Sequence, residues 1–215
     1  MKWIKIACIV LLTYVTIAGF LFEVPELPIL NEAIRVMFFH VPMWFTMIFL
    51  LFISTLNAYY FISKGTINYD LKSREYASVG IFFGILGILS GMIWAKFTWG
   101  AYWTNDPKLN GSALSLLIYF SYFVLRGSIR DQIKKAKISS VYNIFAFAML
   151  IPLLFILPRM TDSLHPGNGG NPGFNVYDMN SQLRIVFYPA VIGFILLGIW
   201  ITKLRLRLRL LNLTN

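Results

Sequence analysis

Residues 36–62 read "VMFFHVPMWFTMIFLLFISTLNAYYFI", a run with no Asp, Glu, Lys or Arg. A hydrocarbon core about 30 Å thick takes about 20 helical residues to cross. In lipid the backbone must also satisfy its own hydrogen bonds, so a run of this length and character reads as a membrane-crossing helix. Five further runs share that character, approximately from Ile6 to Phe22, Ala77 to Phe97, Ser112 to Leu125, Val141 to Leu157 and Leu183 to Thr202. The expected fold is therefore an all-α integral membrane protein of six transmembrane helices, forming a single domain over residues 1–215. The run from Ser112 is short and is expected to borrow a turn from each flank. The first run follows Lys2 and Lys5 as a signal peptide would, but it is longer than a usual signal core. No small-residue cleavage site follows it, so it reads as a retained anchor.

Composition supports this class. Apolar residues make up 58% of the chain and charged residues 13%, against roughly 25% charged in an ordinary soluble domain. A net charge of +10 would suggest nucleic acid as partner of a soluble protein; here it must be read by position relative to the bilayer. The alternate connections and both ends hold most of the basic residues: Lys2 and Lys5, then Lys64, Lys72 and Arg74, then Arg126 to Lys137, then Lys203 to Arg209. The other side has Arg35, Lys96, Lys108, Arg159 and Arg184. Cytoplasmic loops carry the Lys and Arg excess, so both termini are expected in the cytoplasm. The "KLRLRLRL" tail alternates like a strand, but arginines snorkelling to the inner interface account for it without a partner. Trp3, Trp44 and Trp200 read as interfacial anchors.

The only cysteine, Cys8, lies in the first run, where it reads as a small packing or lipid-facing residue. It leaves no disulfide pair, no CxxC couple and no CxxCH haem-attachment motif. No charged residue falls deep within a predicted span, so the usual markers of a proton relay are missing. The outer connections hold what remains. Two of them are unusual: the loop 98–110, containing "WGAYWTNDPK", and the glycine-rich loop 159–182, containing "HPGNGGNPGF". The second invites a phosphate-binding reading, but no GK[ST] follows and no strand precedes it.

The two histidines of the chain, His40 and His165, both fall toward the outer side. Two imidazoles from separate segments can hold one haem iron from opposite faces, whereas two histidines without a nearby cysteine make a poor zinc set. A site for zinc that adds Asp162 or Asp178 stays open. A porphyrin is a flat apolar disc with two carboxylates, so it suits broad aromatic faces, here Trp99, Tyr102 and Trp103, with charges at the edge. Lys108 can pair with a propionate; ionised Asp106 cannot, and is expected to orient a backbone turn or a donor instead.

The segment from Trp99 to Leu109 resembles the "WWD" signature, W-G-x-x-W-x-W-D-x-R/K-L, of the CcmC/CcmF/CcsA haem-handling (WWD-domain) family of cytochrome c maturation. "HVP" at His40 and "LHP" at His165 resemble that family's two outer histidines. The six spans and the order histidine, WWD loop, histidine are similar to the haem exporter protein C (CcmC) branch. The resemblance implies a protein, not an enzyme, that holds haem b at the periplasmic face of the bacterial inner membrane and delivers it to a periplasmic haem chaperone (CcmE). It implies as further partners ABC-transporter subunits (CcmA, CcmB) and a small membrane subunit (CcmD), because this chain has no nucleotide site of its own. Carried onto this sequence, His40 and His165 would be axial ligands, and Trp99, Gly100, Trp103, Asp106 and Lys108 would form the haem-presenting loop. Asn105 and Tyr102 depart from the tryptophans of the motif, which reduces aromatic area. A related cytochrome c synthase subunit is the nearest alternative, but it would need a further histidine pair within the membrane. A b-type electron carrier or a non-catalytic membrane scaffold would represent other classes.

Overall fold

The computed structural model describes residues 2–26, 30–165 and 179–214. Helix α1 (Lys2–Leu21) is followed by a 3-10 turn (Asn31–Val36) that runs directly into α2 (Met37–Lys64). Helices α3 (Ile67–Trp99) and α4 (Pro107–Ser128) come next. Helix α5 (Gln132–Ile151) then continues through a π-helical turn (Pro152–Ile156) into the short α6 (Leu157–Met160), and α7 (Ser181–Thr214) closes the chain. No strand occurs among the described residues. Six of these helical stretches are long and apolar enough to cross a membrane, as the apolar runs predict.

Two boundaries differ from expectation. Only Gly65 and Thr66 separate α2 from α3, so Lys72 and Arg74, read as loop residues, belong to the first turns of α3. Gly65 sits at φ 68° and donates its N–H to the Phe61 carbonyl at 2.8 Å, a left-handed cap that turns the chain back on itself. The second difference is the tail, which continues the last helix past Thr202 to Thr214. Arg205 and Arg209, four residues apart and so on one face, both reach Glu75 of α3 at 2.8 Å. The alternating pattern thus has a protein partner, and Glu75 is buried by it.

Lipid tails are as apolar as leucine, so helices in a bilayer are held by close fit and by hydrogen bonds. Helix α3 supplies the fit. A Cβ built on Gly80, Gly84, Gly87 or Gly91 would lie 3.1, 2.5, 2.9 or 2.7 Å from Leu51, Met47, Trp44 or His40 of α2, respectively. The two helices run antiparallel with one large side chain of α2 seated over each glycine. Trp44 is therefore a packing residue and not the interfacial anchor its composition suggests. Trp3 is 79% exposed and keeps that reading.

Polar groups fasten the same helices. Asn143 of α5 donates to Ser54 Oγ at 2.7 Å and Ser73 Oγ at 2.9 Å, which joins α2, α3 and α5. One buried cluster gathers Met47, Leu50 and Leu51 of α2 with Phe83, Leu116, Tyr119 and Leu150. A second gathers Val15 and Ala18 of α1 with Phe38 of α2 and Val186, Phe187 and Ala190 of α7. Cys8 lies at this α1–α7 seam, buried and facing the Gly193 carbonyl, as a packing residue.

Pro152 begins the π-helical turn, which carries the Leu153 carbonyl against α4. A Cβ on Gly111 would sit 2.3 Å from that oxygen, and a backbone atom cannot rotate away. Gly111→Ala is expected to lower stability by about 1–3 kcal/mol as an overpacked site, read as a fall in the melting temperature in mild detergent. Gly127→Ala, with nothing within 4 Å of the added carbon, should leave it unchanged or slightly raised.

Candidate functional site

The site is built where α3 ends and α4 begins. Gly100 terminates α3 at φ 81°, a conformation glycine adopts without the steric cost of a side chain, and its carbonyl accepts from Lys96 Nζ at 2.9 Å. Lys96 also lies 5.7 Å from the Tyr102 ring centroid. Helix α4 then opens with Asp106 as N-cap and Pro107 in the first turn, the residue types favoured there. Asp106 Oδ1 accepts from the backbone N–H groups of Lys108 at 2.9 Å and Leu109 at 3.1 Å.

The same carboxylate reaches a distant segment. His165 Nδ1 lies 2.8 Å from Asp106 Oδ1. Ser163 Oγ and the Leu164 N–H both donate to Oδ2 at 2.7 Å, and Ser163 Oγ in turn accepts from the His165 N–H at 3.2 Å. Five donors thus converge on one buried side chain. Burial alone would push the Asp106 carboxyl up, but the bonds from His165, Ser163 and Leu164 more than offset it and hold the group well below the usual carboxylate range. Ionised, it is purely an acceptor, so His165 must carry a proton on Nδ1. In the neutral ring, Nε2 is then the free lone pair.

His40 reaches an equivalent state by another route. Its Nδ1 is 3.0 Å from Ser90 Oγ, while the Ser90 hydroxyl is within donating distance of the Leu86 carbonyl at 2.8 Å and the Gly87 carbonyl at 3.0 Å. When the Ser90 hydroxyl gives its proton to the helix backbone, it accepts from His40 Nδ1, and Nε2 is the lone pair. The ring is buried, seated over Gly91 and edge-on to Trp94 at 5.7 Å and Trp44 at 6.4 Å.

Among the residues singled out from the sequence, Trp99, Asp106 and His165 are in direct contact; the Trp99 and His165 rings meet edge to face at 4.8 Å. His40 sits against Trp94 of the same α3 helix, five residues before Trp99, a rise of about 7.5 Å. Tyr102 and Trp103 are exposed, at 56% and 43%. Lys108 is half-buried in the first turn of α4. Asn105, which departs from the motif, accepts from Asn110 Nδ2 at 2.7 Å and so braces that turn. The glycine-rich loop lies outside the described residues from 166 to 178, Asp178 included. No group of three His, Cys, Asp or Glu residues able to hold a metal ion occurs among the described residues.

Sequence reasoning missed Ser90, Gly91, Trp94 and Ser163. The glycine spacing in "GIFFGILGILSG" is the available signal for the first two. The other two become visible only once the chain is folded.

These features define a polytopic helical membrane protein with a histidine and tryptophan site at one set of helix ends. Residues 1–214 match the family model described as Heme exporter protein C, and the chain belongs to that family, CcmC. Among individual relatives, the Heme exporter protein C of Haemophilus influenzae is 24% identical over 136 residues, covering 63% of this chain and 54% of that protein. A putative cytochrome c biosynthesis ccmC-like mitochondrial protein of Marchantia polymorpha is 26% identical over 172 residues, covering 79% of this chain and 71% of its own. The cytochrome c biogenesis protein CcsA of Gossypium barbadense is 36% identical over 77 residues, covering 33% and 24%. The chain thus spans about half the length of the Haemophilus protein and about a quarter of the cotton one.

Asp106→Asn separates the two duties of the carboxylate. Asparagine caps a helix about as well as aspartate, so α4 should keep its start. An amide nitrogen in place of Oδ2 faces the Leu164 N–H, and the 163–165 segment should come loose, measured as faster amide exchange at Leu164 and His165 with α4 protected as before. Acid should mimic this in the wild type. A depressed carboxyl contributes stability that is full above its unfolded value of about 4 and is lost as pH falls through the native value, so docking should hold across neutral pH and fail only in strong acid.

Proposed function

We propose that this chain binds haem b transiently as cargo at these helix ends and passes it to a periplasmic haem chaperone (CcmE) during cytochrome c maturation. One observation carries the reading: each histidine has Nδ1 within hydrogen-bond distance of an oxygen, Asp106 for His165 and Ser90 for His40, the kind of contact that orients a ring to offer Nε2 to an iron. Family membership and relatives named for heme export and cytochrome c biogenesis support it.

The residues present fit the cargo. Tyr102 and Trp103 offer exposed aromatic surface beside Trp99, and Trp94 Nε1 is a buried donor with no hydrogen-bond partner among the described residues. When bound, haem supplies an iron with two open axial positions; everything else is done by the chain. His40 is fixed on α2 by Ser90 and by its seat over Gly91. Among the described residues, the His165 ring is held through Asp106 and the Trp99 ring. This asymmetry suits a carrier: the α2 histidine keeps the cargo while the other is released by breaking bonds to a single carboxylate. A resident electron carrier would want both ligands equally fixed.

The distribution of Lys and Arg supports a site on the outer side of the membrane with both termini inside; the membrane is the bacterial inner membrane in this reading, and the whole chain acts as one domain. Metal binding proceeds through His40 and His165; Gly100 and Lys108 shape and charge the rim of the loop. The sequence carries no GK[ST] phosphate-binding motif, and the chain would work with ABC-transporter subunits (CcmA, CcmB) and a small membrane subunit (CcmD).

Absorption spectra of the protein purified in mild detergent from haem-replete cells test the ligands. Wild type should give a low-spin bis-histidine spectrum in both redox states, and His40→Ala or His165→Ala should abolish it. Asp106→Asn should cut haem occupancy by about 10–100-fold, the usual cost of removing an outer-shell partner. A haem-free wild-type protein would overturn the reading. Trp103→Ala should slow transfer to the chaperone more than it alters the spectrum, and normal transfer by a Trp99, Trp103 double alanine variant would reject the role of the loop.

A further inference from the structure

At the opposite end of the bundle α3, α4, α5 and α7 border a half-open cavity of about 410 Å³, within the roughly 300–1,000 Å³ typical of small-molecule sites. Arg74, Arg126, Lys135 and Arg209 line it, with Asp70 as the one carboxylate in its wall. Asp70 is already engaged by both terminal nitrogens of Arg126, one at 2.7 Å. The neighbouring carboxylate, Glu75, takes Arg205 and Arg209 at 2.8 Å and lies 3.7 Å from Arg74. Lys135 belongs to no ion pair found among the described residues. Positive charge in and around the cavity therefore exceeds the negative charge available to balance it. The surplus cations Arg74, Lys135 and Arg209 are half-buried, and this cluster is left short of anions.

The remaining wall is apolar. Ile67, Leu71 and Phe123 complete the lining, and Ile67 is 40% exposed on the helix surface. A cationic recess beside an apolar wall, at the level where membrane-crossing helices end, fits a molecule with an anionic head and a hydrocarbon body. Basic pockets between transmembrane helices bind such headgroups. The guanidinium groups offer planar forks for phosphate oxygens.

We infer that this cavity binds the phosphate headgroup of an anionic glycerophospholipid, with the chains running over Ile67, Leu71 and Phe123. Bound there, the lipid ties the starts of α3 and α5 to the end of α4 and to the helical tail.

The test uses full-length protein in detergent and two variants. Arg74→Gln with Lys135→Gln removes positive charge while sparing the Asp70–Arg126 pair and the two arginines of α7 that hold Glu75. Ile67→Asn with Leu71→Asn alters the apolar wall alone. Native mass spectrometry against equal phosphatidylglycerol and phosphatidylcholine should show wild type retaining the anionic lipid preferentially, and that preference should fall on the order of tenfold in the charge variant. Melting temperature without lipid and circular dichroism confirm that the variants fold. Equal retention of the two lipids by wild type, or undiminished preference in the charge variant, overturns the inference. Sodium phosphate and glycerol 3-phosphate separate a soluble source from a lipid one. Stabilisation by these anions with no phosphatidylglycerol preference, or lipid retention indifferent to the wall variant, also overturns it. Weaker retention in the wall variant supports it.

Discussion

The approach of α3 to α2 is the constraint on which the molecule turns. In a bilayer no hydrophobic force drives two helices together, and only shape and polar contacts distinguish a neighbouring helix from lipid. The glycines of α3 provide shape by omission, leaving a channel in which Leu51, Met47, Trp44 and His40 lie one above another. Each larger side chain on this stripe would push the helices apart. His40 is the last member of the series, so the packing that holds the fold is continuous with the placement of a candidate ligand. Ser90, adjacent to Gly91, then holds the ring through Nδ1. Here the scaffold and the site are a single stretch of helix.

At the other histidine the logic is electrostatic. Asp106 gathers two donors from the first turn of α4 and three from residues 163–165. A carboxylate this well served stays ionised while buried, and its charge complements the positive end of the α4 dipole. One histidine is thus positioned by packing and the other by charge. The two are supported from the same helix, through Trp94 and Trp99, which fixes the spacing along the bundle axis at which any shared ligand would have to sit.

Much of this was legible in the chain. The six crossings are written as apolar runs, and the residues that carry the site stand out because histidine and clustered tryptophan are scarce elsewhere. Helix ends were less legible. The first turns of α3, "INYDLKSREY", are polar and read as a loop, yet they are helical because Asp70 and Glu75 find arginines from α4 and α7. The tail alternates at a strand's period, but Arg205 and Arg209 also share a helical face, and Glu75 decides between the two patterns. Trp44 looked like an anchor because its seat, Gly87, is on another helix. Composition cannot reveal a contact of this kind, nor the bond between Asp106 and His165 across 59 positions of sequence.

The dual role of Asp106 has a consequence for how the protein is made. Its two sets of donors lie on either side of the α4–α5 hairpin, so they share one side of the membrane only after both helices have been threaded through it. A nascent chain with a single crossing in place leaves this carboxylate half-served, with an incompletely satisfied charge where a finished molecule has none. The contact is therefore a record of insertion: it can close only when the α4–α5 hairpin has reached its proper orientation, and the site cannot be assembled on a wrongly threaded chain.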